Sequence, residues 1–218
     1  MTTEIVYHQA VYTKPSIKAF QGNPLIEALP PVKTDEELIE LLTLIPKIQD
    51  NIETLKPHER KLVVVDLENF TYPLPEYLDF ARQVEYALYK AYSAKIPFSP
   101  TTNHYLHYLD TDSTPVQPHT GRFDPKPIGI TLIGPSGGGK NWMYERVLSL
   151  YPQVIEHQEY NGRELSVTQV VWLTVSCPPD GSLITFAASF LSALDEALGI
   201  DKYYKEHMMY PVSPMWTK

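Results

Sequence analysis

Residues 128–141 constrain the fold more than any other stretch, because they join an apolar segment to a glycine-rich turn and then to a helical pattern. This is the order of a phosphate-binding loop, in which a buried strand leads through a tight turn into a helix N-terminus. The turn contains Gly134, Gly137, Gly138 and Gly139. Without Cβ atoms in the way, backbone N–H groups of such a turn can close around an anion. The sequence therefore predicts a site for phosphate groups.

The spacing of the turn fits the pattern G-x-x-x-x-G-K-[ST] up to its last position, where Asn141 replaces serine or threonine. Lys140 would place a positive charge beside the phosphates, and the helix that follows would add its dipole and unpaired N–H groups. Asn141 lacks the hydroxyl that would ligate Mg²⁺, which predicts ATP binding with impaired hydrolysis. The alternative is a flexible loop that binds nothing. The predicted nucleotide-binding residues are Gly134, Pro135, Ser136, Gly137, Gly138, Gly139, Lys140 and Asn141.

Composition limits the class of protein. Of 218 residues, 43% are hydrophobic and 20% are charged, which are ordinary values for a globular protein. No apolar run is long enough to span a membrane, and the N-terminus lacks the blocks of a signal peptide, so we expect a cytoplasmic protein. The single Cys177 excludes an internal disulfide and a cysteine metal cluster. A net charge of −8 argues against a strongly cationic nucleic-acid binder but leaves a local DNA-binding patch open.

Changes in composition predict five successive regions. These are an N-terminal arm (1–33), a domain of helices and a strand (34–96), a linker (97–127), a partial P-loop domain (128–205) and an irregular tail (206–218). The predicted fold class is α/β, with a mixed α+β region followed by a truncated αβα sandwich around the phosphate loop. The arm carries apolar anchors such as Tyr12 and Phe20, so it either packs on its own domain or docks on a partner.

Two helices and a strand are predicted before the linker. Thr34 and Glu37 form a capping-box pattern ahead of leucines at helical spacing. Pro75 begins a second helix of roughly 20 residues. Lys61–Glu68 has the composition of a strand and ends in acids, as a Walker B strand does. Because it precedes the phosphate loop instead of following it, we interpret it as a plain strand.

The linker contains three histidines, His104, His107 and His119. The first two could share one face of a helix as metal ligands. No cysteine and no third ligand at close spacing accompanies them, so we interpret all three as surface residues and predict no metal site.

The region after the loop alternates helix, strand and helix. A helix continues from the loop to Tyr151, and Gln169–Ser176 is predicted as the second strand of the unit. Ser182 is a suitable N-cap for the next helix, and Gly199 is a suitable end. This order is typical of the beginning of an α/β domain.

Several stretches resemble the TnsC family and, more distantly, the TniB family. They are residues 9–12, 19–20 and 23–31, the phosphate loop, and residues 151–155, 169–171, 180–183, 190, 193–195 and 197–199. TnsC-like proteins are AAA+ ATPase regulators of cut-and-paste transposition. The resemblance implies that the loop binds ATP, that the protein self-associates, with DNA contact in the assembly left open, and that it links target-selecting proteins to the transposase.

The family continues past this point with a Walker B strand, a sensor strand, an arginine finger and a helical lid. We therefore expect the chain to correspond to the N-terminal part of such a protein, with exposed strand edges and a loop segment less protected than residues 1–96. A second hypothesis is a non-enzymatic interaction module that engages transposon proteins. A third is an unrelated P-loop kinase or transferase, for which the sequence offers neither a base nor an acceptor site.

Overall fold

The computed structural model describes residues 7–47, 52–63, 65, 70–99, 102 and 128–209. These residues form a mixed α/β protein that divides into two compact units. The sheet unit comprises the described parts of Met1–Lys14, Glu27–Leu29 and Tyr151–Lys218, and the helical unit comprises those of Pro15–Ile26 and Pro30–Leu150. The predicted α/β class is confirmed at this level, and the five predicted regions remain a prediction.

The strands are β1 (Tyr7–Gln9), β2 (Val154–Tyr160) and β3 (Arg163–Val170). The α-helices are α1 (Pro24–Glu27), α2 (Asp35–Leu42), α3 (Pro57–Val63), α4 (Pro75–Ser93), α5 (Lys140–Leu148) and α6 (Leu183–Ala197). Two 3₁₀ turns occupy Lys18–Phe20 and Ile52–Thr54, and a π-helical turn occupies Lys205–Met209. Over the described part of the chain, no helix combines the length and the apolar character that crossing a membrane requires.

An antiparallel hairpin of β2 and β3 is the centre of the sheet unit. The turn between the strands is Asn161–Gly162, with φ angles of +50° and +77°. Positive φ at both positions defines a type I′ turn, whose twist matches that of the flanking strands. The turn places Tyr160 opposite Arg163, and the ladder continues with one irregularity to Val154 opposite Val170. The chain between 154 and 170 therefore pairs with itself.

The N-terminal arm completes the sheet. β1 pairs with β2 in parallel, with Tyr7 opposite Val154, and the Ala10 N–H donates to the Glu156 carbonyl at 2.9 Å. β2 is thus the central strand, and the side chains of Val154 and Ile155 are each 1% exposed. This part of the arm therefore packs on its own chain, and docking of the arm on a partner stays an alternative.

A buried cluster of polar side chains joins the arm to the hairpin. The Tyr12 hydroxyl lies 2.9 Å from His157 Nδ1, and His157 Nε2 lies 2.9 Å from Gln169 Oε1. An amide oxygen only accepts, so His157 carries its proton on Nε2 and accepts from Tyr12 at Nδ1. Tyr160 donates to Glu27 Oε2 at 2.8 Å. Burial, together with the Glu27 carboxylate, raises the pKa of Tyr160 to about 12.

The helical unit contains both helices predicted before the linker. α2 begins at a complete capping box, because Thr34 Oγ1 accepts from the Glu37 N–H at 3.2 Å and Glu37 Oε2 accepts from the Thr34 N–H at 2.8 Å. α4 begins at Pro75 and packs against α2 and α5. These two predictions are confirmed, because the signals that start each helix lie within its own first turn.

The strand predicted at Lys61–Glu68 is wrong over residues 61–63, which belong to α3. Local helix signals explain the difference. Pro57 occupies the first position, and the Glu59 carboxylate accepts from the Lys56 N–H at 2.8 Å. The basic residues of the last turn complement the helix dipole. Residues 64 and 66–68, like most of the linker with its three histidines, lie outside the described residues.

The two strands predicted around the phosphate loop also differ from the structure. Residues 128–134 form no strand in the described chain, and the Ile133 side chain is 91% exposed. Of Gln169–Ser176, only the first two residues are in a strand, where they pair antiparallel with β2. A strand needs a neighbouring strand for its backbone hydrogen bonds. The Asn161–Gly162 turn places β2 beside β3, so β2 is the partner of residues 169 and 170. The described sheet therefore does not confirm a P-loop sandwich.

α6 forms as predicted, because both of its ends are specified locally. Ser182 Oγ accepts from the Thr185 N–H at 3.3 Å, which caps the first turn. At the other end Gly199 has a φ of +56°, and the Ile200 N–H donates to the Asp195 carbonyl at 3.0 Å. This is the hydrogen bond of a Schellman motif, which ends the helix.

Replacing Gly162 by alanine should destabilise the hairpin, because an L-residue pays roughly 1–2 kcal/mol for a left-handed conformation. No atom lies within 4 Å of the added Cβ, so the cost is conformational. Hydrogen exchange of residues 154–170 measures the effect. Gly129→Ala is the control, since its Cβ also enters open space and its φ is not positive. Equal protection of the hairpin in both variants would contradict the turn.

Acidification should weaken the sheet unit through His157. Burial lowers the pKa of His157, against a smaller opposing effect of its hydrogen bond to Gln169. Below about pH 6.5 the His157 side chain is protonated in the unfolded chain but still neutral in the folded chain. The free energy of unfolding therefore decreases as the pH is lowered from about 6.5 to the pKa of His157 in the folded chain. Urea unfolding at a series of pH values measures this slope. His157→Gln should remove it, and the exposed His8→Gln should not. A slope unchanged in His157→Gln would contradict the assignment.

Candidate phosphate-binding site

The glycine-rich turn leads directly into α5, as the sequence predicts. Gly139 is the N-cap of the helix with a φ of +74°, and Gly137 has a φ of +78°. Both values favour glycine over residues with a Cβ atom. The Gly138 N–H donates to the Pro135 carbonyl at 3.3 Å, which closes the turn. All eight predicted nucleotide-binding residues thus lie in one continuous turn and the first two positions of a helix.

The Lys140 side chain folds back over this turn. Its Nζ atom donates to the Gly134 carbonyl at 2.9 Å and to the Pro135 carbonyl at 2.6 Å. No carboxylate pairs with it among the described residues. The carbonyl oxygens position the ammonium group without neutralising its charge. Lys140 therefore presents an uncompensated positive charge at the centre of the loop.

The N-terminus of α5 adds to this positive potential. α5 has no side-chain cap and no acidic residue in its first turn. The first N–H groups of an α-helix have no partner within the helix, and the dipole places partial positive charge at this end. Together with Lys140, the helix end suits the oxygen atoms of a phosphate group.

α5 itself is fixed by packing. Its Met143 and Val147 side chains are buried, and Arg146 Nη2 donates to the Leu41 carbonyl at the C-terminal end of α2 at 3.3 Å. A cation at the C-terminus of a helix also interacts favourably with that helix's dipole. The exposed loop is therefore attached to a helix that the rest of the unit holds in place.

The residues present fit phosphate groups better than a magnesium ion. Asn141 is exposed at the second position of α5 and offers an amide instead of a hydroxyl. No group of three or more His, Cys, Asp or Glu side chains that could hold a metal ion occurs in the part of the chain that the structure describes. The predicted absence of a metal site stays a prediction, since His104, His107 and His119 lie outside this part.

One further side chain, which the sequence does not indicate, lies beside the loop. A Cβ atom added at Gly139 would lie 3.4 Å from the hydroxyl oxygen of Tyr77, in the first turn of α4. Tyr77 precedes the loop by about sixty residues, and no motif connects the two. Only the packing of α4 against α5 brings them together.

No family model matches the chain, and no curated protein matches it.

Proposed function

We propose that residues 134–141 bind the phosphate groups of ATP, in a TnsC-like regulator of DNA transposition that links target selection to the transposase. One observation carries the binding proposal: Lys140 Nζ is held by the Gly134 and Pro135 carbonyl oxygens inside a turn that opens at the N-terminus of α5. A lysine, a glycine turn and a helix N-terminus are three parts of the phosphate-binding loop pattern, and they support the proposal although residues 128–134 form no strand.

The hydrogen bonds of Lys140 also favour an incoming anion. Both of its present acceptors are neutral carbonyl oxygens. A phosphate oxygen is negatively charged, so it attracts the ammonium group through a Coulomb energy that a neutral carbonyl oxygen does not supply. A phosphate group that enters the loop would therefore compete well for the ammonium group, while the helix N-terminus supplies backbone donors.

We propose binding without efficient hydrolysis. Phosphoryl transfer depends on positioning and on the neutralisation of charge that develops on the transferred group. Asn141 has no hydroxyl for the metal ion that normally contributes to this neutralisation. The chain's own residues at the loop can thus hold phosphates, and nothing in 134–141 can serve as a base.

The regulatory part of the proposal is based on the resemblance. It includes contact with the transposase and with target-selecting proteins, self-association, and an AAA+-type sandwich as the finer fold. The loop and α5 support this assignment, whereas the sheet of β1, β2 and β3 does not include the residues that precede the loop.

Lys140→Ala should weaken ATP and ADP binding by roughly tenfold or more, since hydrogen bonds to charged groups contribute about 1.5–3 kcal/mol. Isothermal titration calorimetry on the full chain measures the dissociation constants. Lys47→Ala is the matched control, because it removes an exposed lysine of the same unit.

Removal of magnesium provides a second readout of the same site. Titrations in EDTA and in magnesium should give the same dissociation constant for the wild-type chain, because Asn141 lacks the hydroxyl that holds the ion in a complete phosphate loop. Asn141→Thr should make binding depend on magnesium. For the Lys140→Ala experiment, equal dissociation constants for ATP in the wild-type chain and the variant would show that ATP does not bind at the loop.

A second candidate function, a non-enzymatic interaction module, is favoured by the apolar face of α6. Leu183 is 83% exposed and Ile184 is 74% exposed, and the aromatic rings of Phe186 and Phe190 are also exposed. Leu183, Phe186 and Phe190 share one face at helical spacing. Apolar surface of this kind on a helix marks an interaction site. Self-association through α6 would use it without any nucleotide chemistry.

Leu183→Asp combined with Phe186→Asp should abolish self-association of the chain, because burial of a carboxylate in an apolar contact is unfavourable. Sedimentation velocity over a range of concentrations measures the association. Ser192→Asp introduces the same charge on the opposite face of α6 and should have no effect. An unchanged concentration dependence in the double variant would exclude the α6 face as the contact.

A further inference from the structure

We propose that Tyr77 is a phosphate-binding residue of the loop, contributed by α4 from outside the motif. This inference rests on the proposed function of residues 134–141 and names a further ligand of the same site. The proposal is based on a short distance: the Tyr77 hydroxyl oxygen lies 3.4 Å from the point where a Cβ atom would stand if residue 139 were not glycine. Gly139 is the N-cap of α5, so the phenol is next to the backbone that would receive the anion.

The hydroxyl of Tyr77 is available for a ligand. Its side chain is partly buried, yet within the described ranges the hydroxyl makes no hydrogen bond. The phenols of Tyr12 and Tyr160 in the sheet unit are both satisfied, by His157 and by Glu27. A Tyr hydroxyl that is withdrawn from water usually finds a hydrogen-bond partner, and no group among the described residues is that partner here. At Tyr77 an oxygen atom of a bound phosphate would be that partner.

The position of Tyr77 is set by helix packing. Tyr77, Ala81 and Val84 follow at the i, i+4, i+7 spacing of one helix face, and Ala81 and Val84 are buried. α4 packs against α5, which begins at the loop. Each helix is thus fixed relative to the other, and the phenol needs no rearrangement of the backbone to stay beside Gly139.

The chemistry suits the composition of this loop. A phosphate loop that ends in serine or threonine has a hydroxyl at the helix N-terminus, and Asn141 removes it here. A phenolic O–H is a hydrogen-bond donor at neutral pH and carries no charge. Tyr77 would therefore supply a hydroxyl donor beside the positive groups of the loop. Glycine at 139 is favoured by its φ of +74°, and the position of its absent Cβ atom is already in van der Waals range of the phenol.

Tyr77→Phe should weaken binding of ATP and of inorganic triphosphate alike, by roughly tenfold, since only a hydrogen bond to a charged oxygen is lost. Tyr86→Phe is the matched control: it removes the hydroxyl of an exposed tyrosine on the same helix. Calorimetry on the full chain gives the constants, and circular dichroism establishes that both variants fold as the wild-type chain does.

The outcomes separate this role from the proposed function. Binding that depends on Lys140 but is unchanged in Tyr77→Phe would overturn the role of Tyr77 and leave the loop as the site. A loss for ATP but not for triphosphate would also overturn it, because the phenol would then contact the nucleoside. Failure of the wild-type chain to bind either probe would overturn the proposed function and, with it, this inference.

Discussion

The type I′ turn at Asn161–Gly162 is the constraint on which the sheet unit depends. It fixes the register of β2 and β3, and a shift by one residue would turn every side chain of the hairpin to the opposite face. In the observed register His157 faces Tyr12 on one side and Gln169 on the other. The hairpin thus creates both the edge on which β1 pairs and the buried partners that hold the arm.

The geometry of the candidate site at residues 134–141 does not depend on the hairpin. The residues of the loop are exposed and have no core of their own, so their geometry comes from three local features: glycines at positive φ, carbonyl oxygens that hold Lys140, and the helix that follows. What keeps the site in place is the packing of α5, through Met143, Val147 and the Arg146 hydrogen bond to Leu41. The Lys140 ammonium group is therefore already positioned over the loop and is paired with no carboxylate of the described residues.

Prediction from the sequence succeeded for α2, α4, α5 and α6 and failed for α3 and for the strands. The starts of α2 and α6, and both ends of α6, are specified by side chains within one turn of the residues they cap, so the pattern alone was sufficient. The predicted strands at 61–68 and 128–134 have strand-like composition, but nothing in a segment says which neighbour will pair with it. The hairpin is not predicted from the sequence, although Asn161–Gly162 is a strong turn signal, because residues 169–176 are assigned to the second strand of the phosphate-loop unit.

The sequence by itself determined the glycine-rich turn before α5, the starts of α2, α4 and α6, and the absence of a hydroxyl at Asn141, because each depends on residues adjacent in the chain. Only the tertiary structure decided the pairing of β1 with β2, the lowered pKa of His157 and the approach of Tyr77 to Gly139. Each of these joins segments distant in sequence, through burial or helix packing. A linear pattern carries no record of such contacts, because they arise only when the chain excludes water from a shared interior.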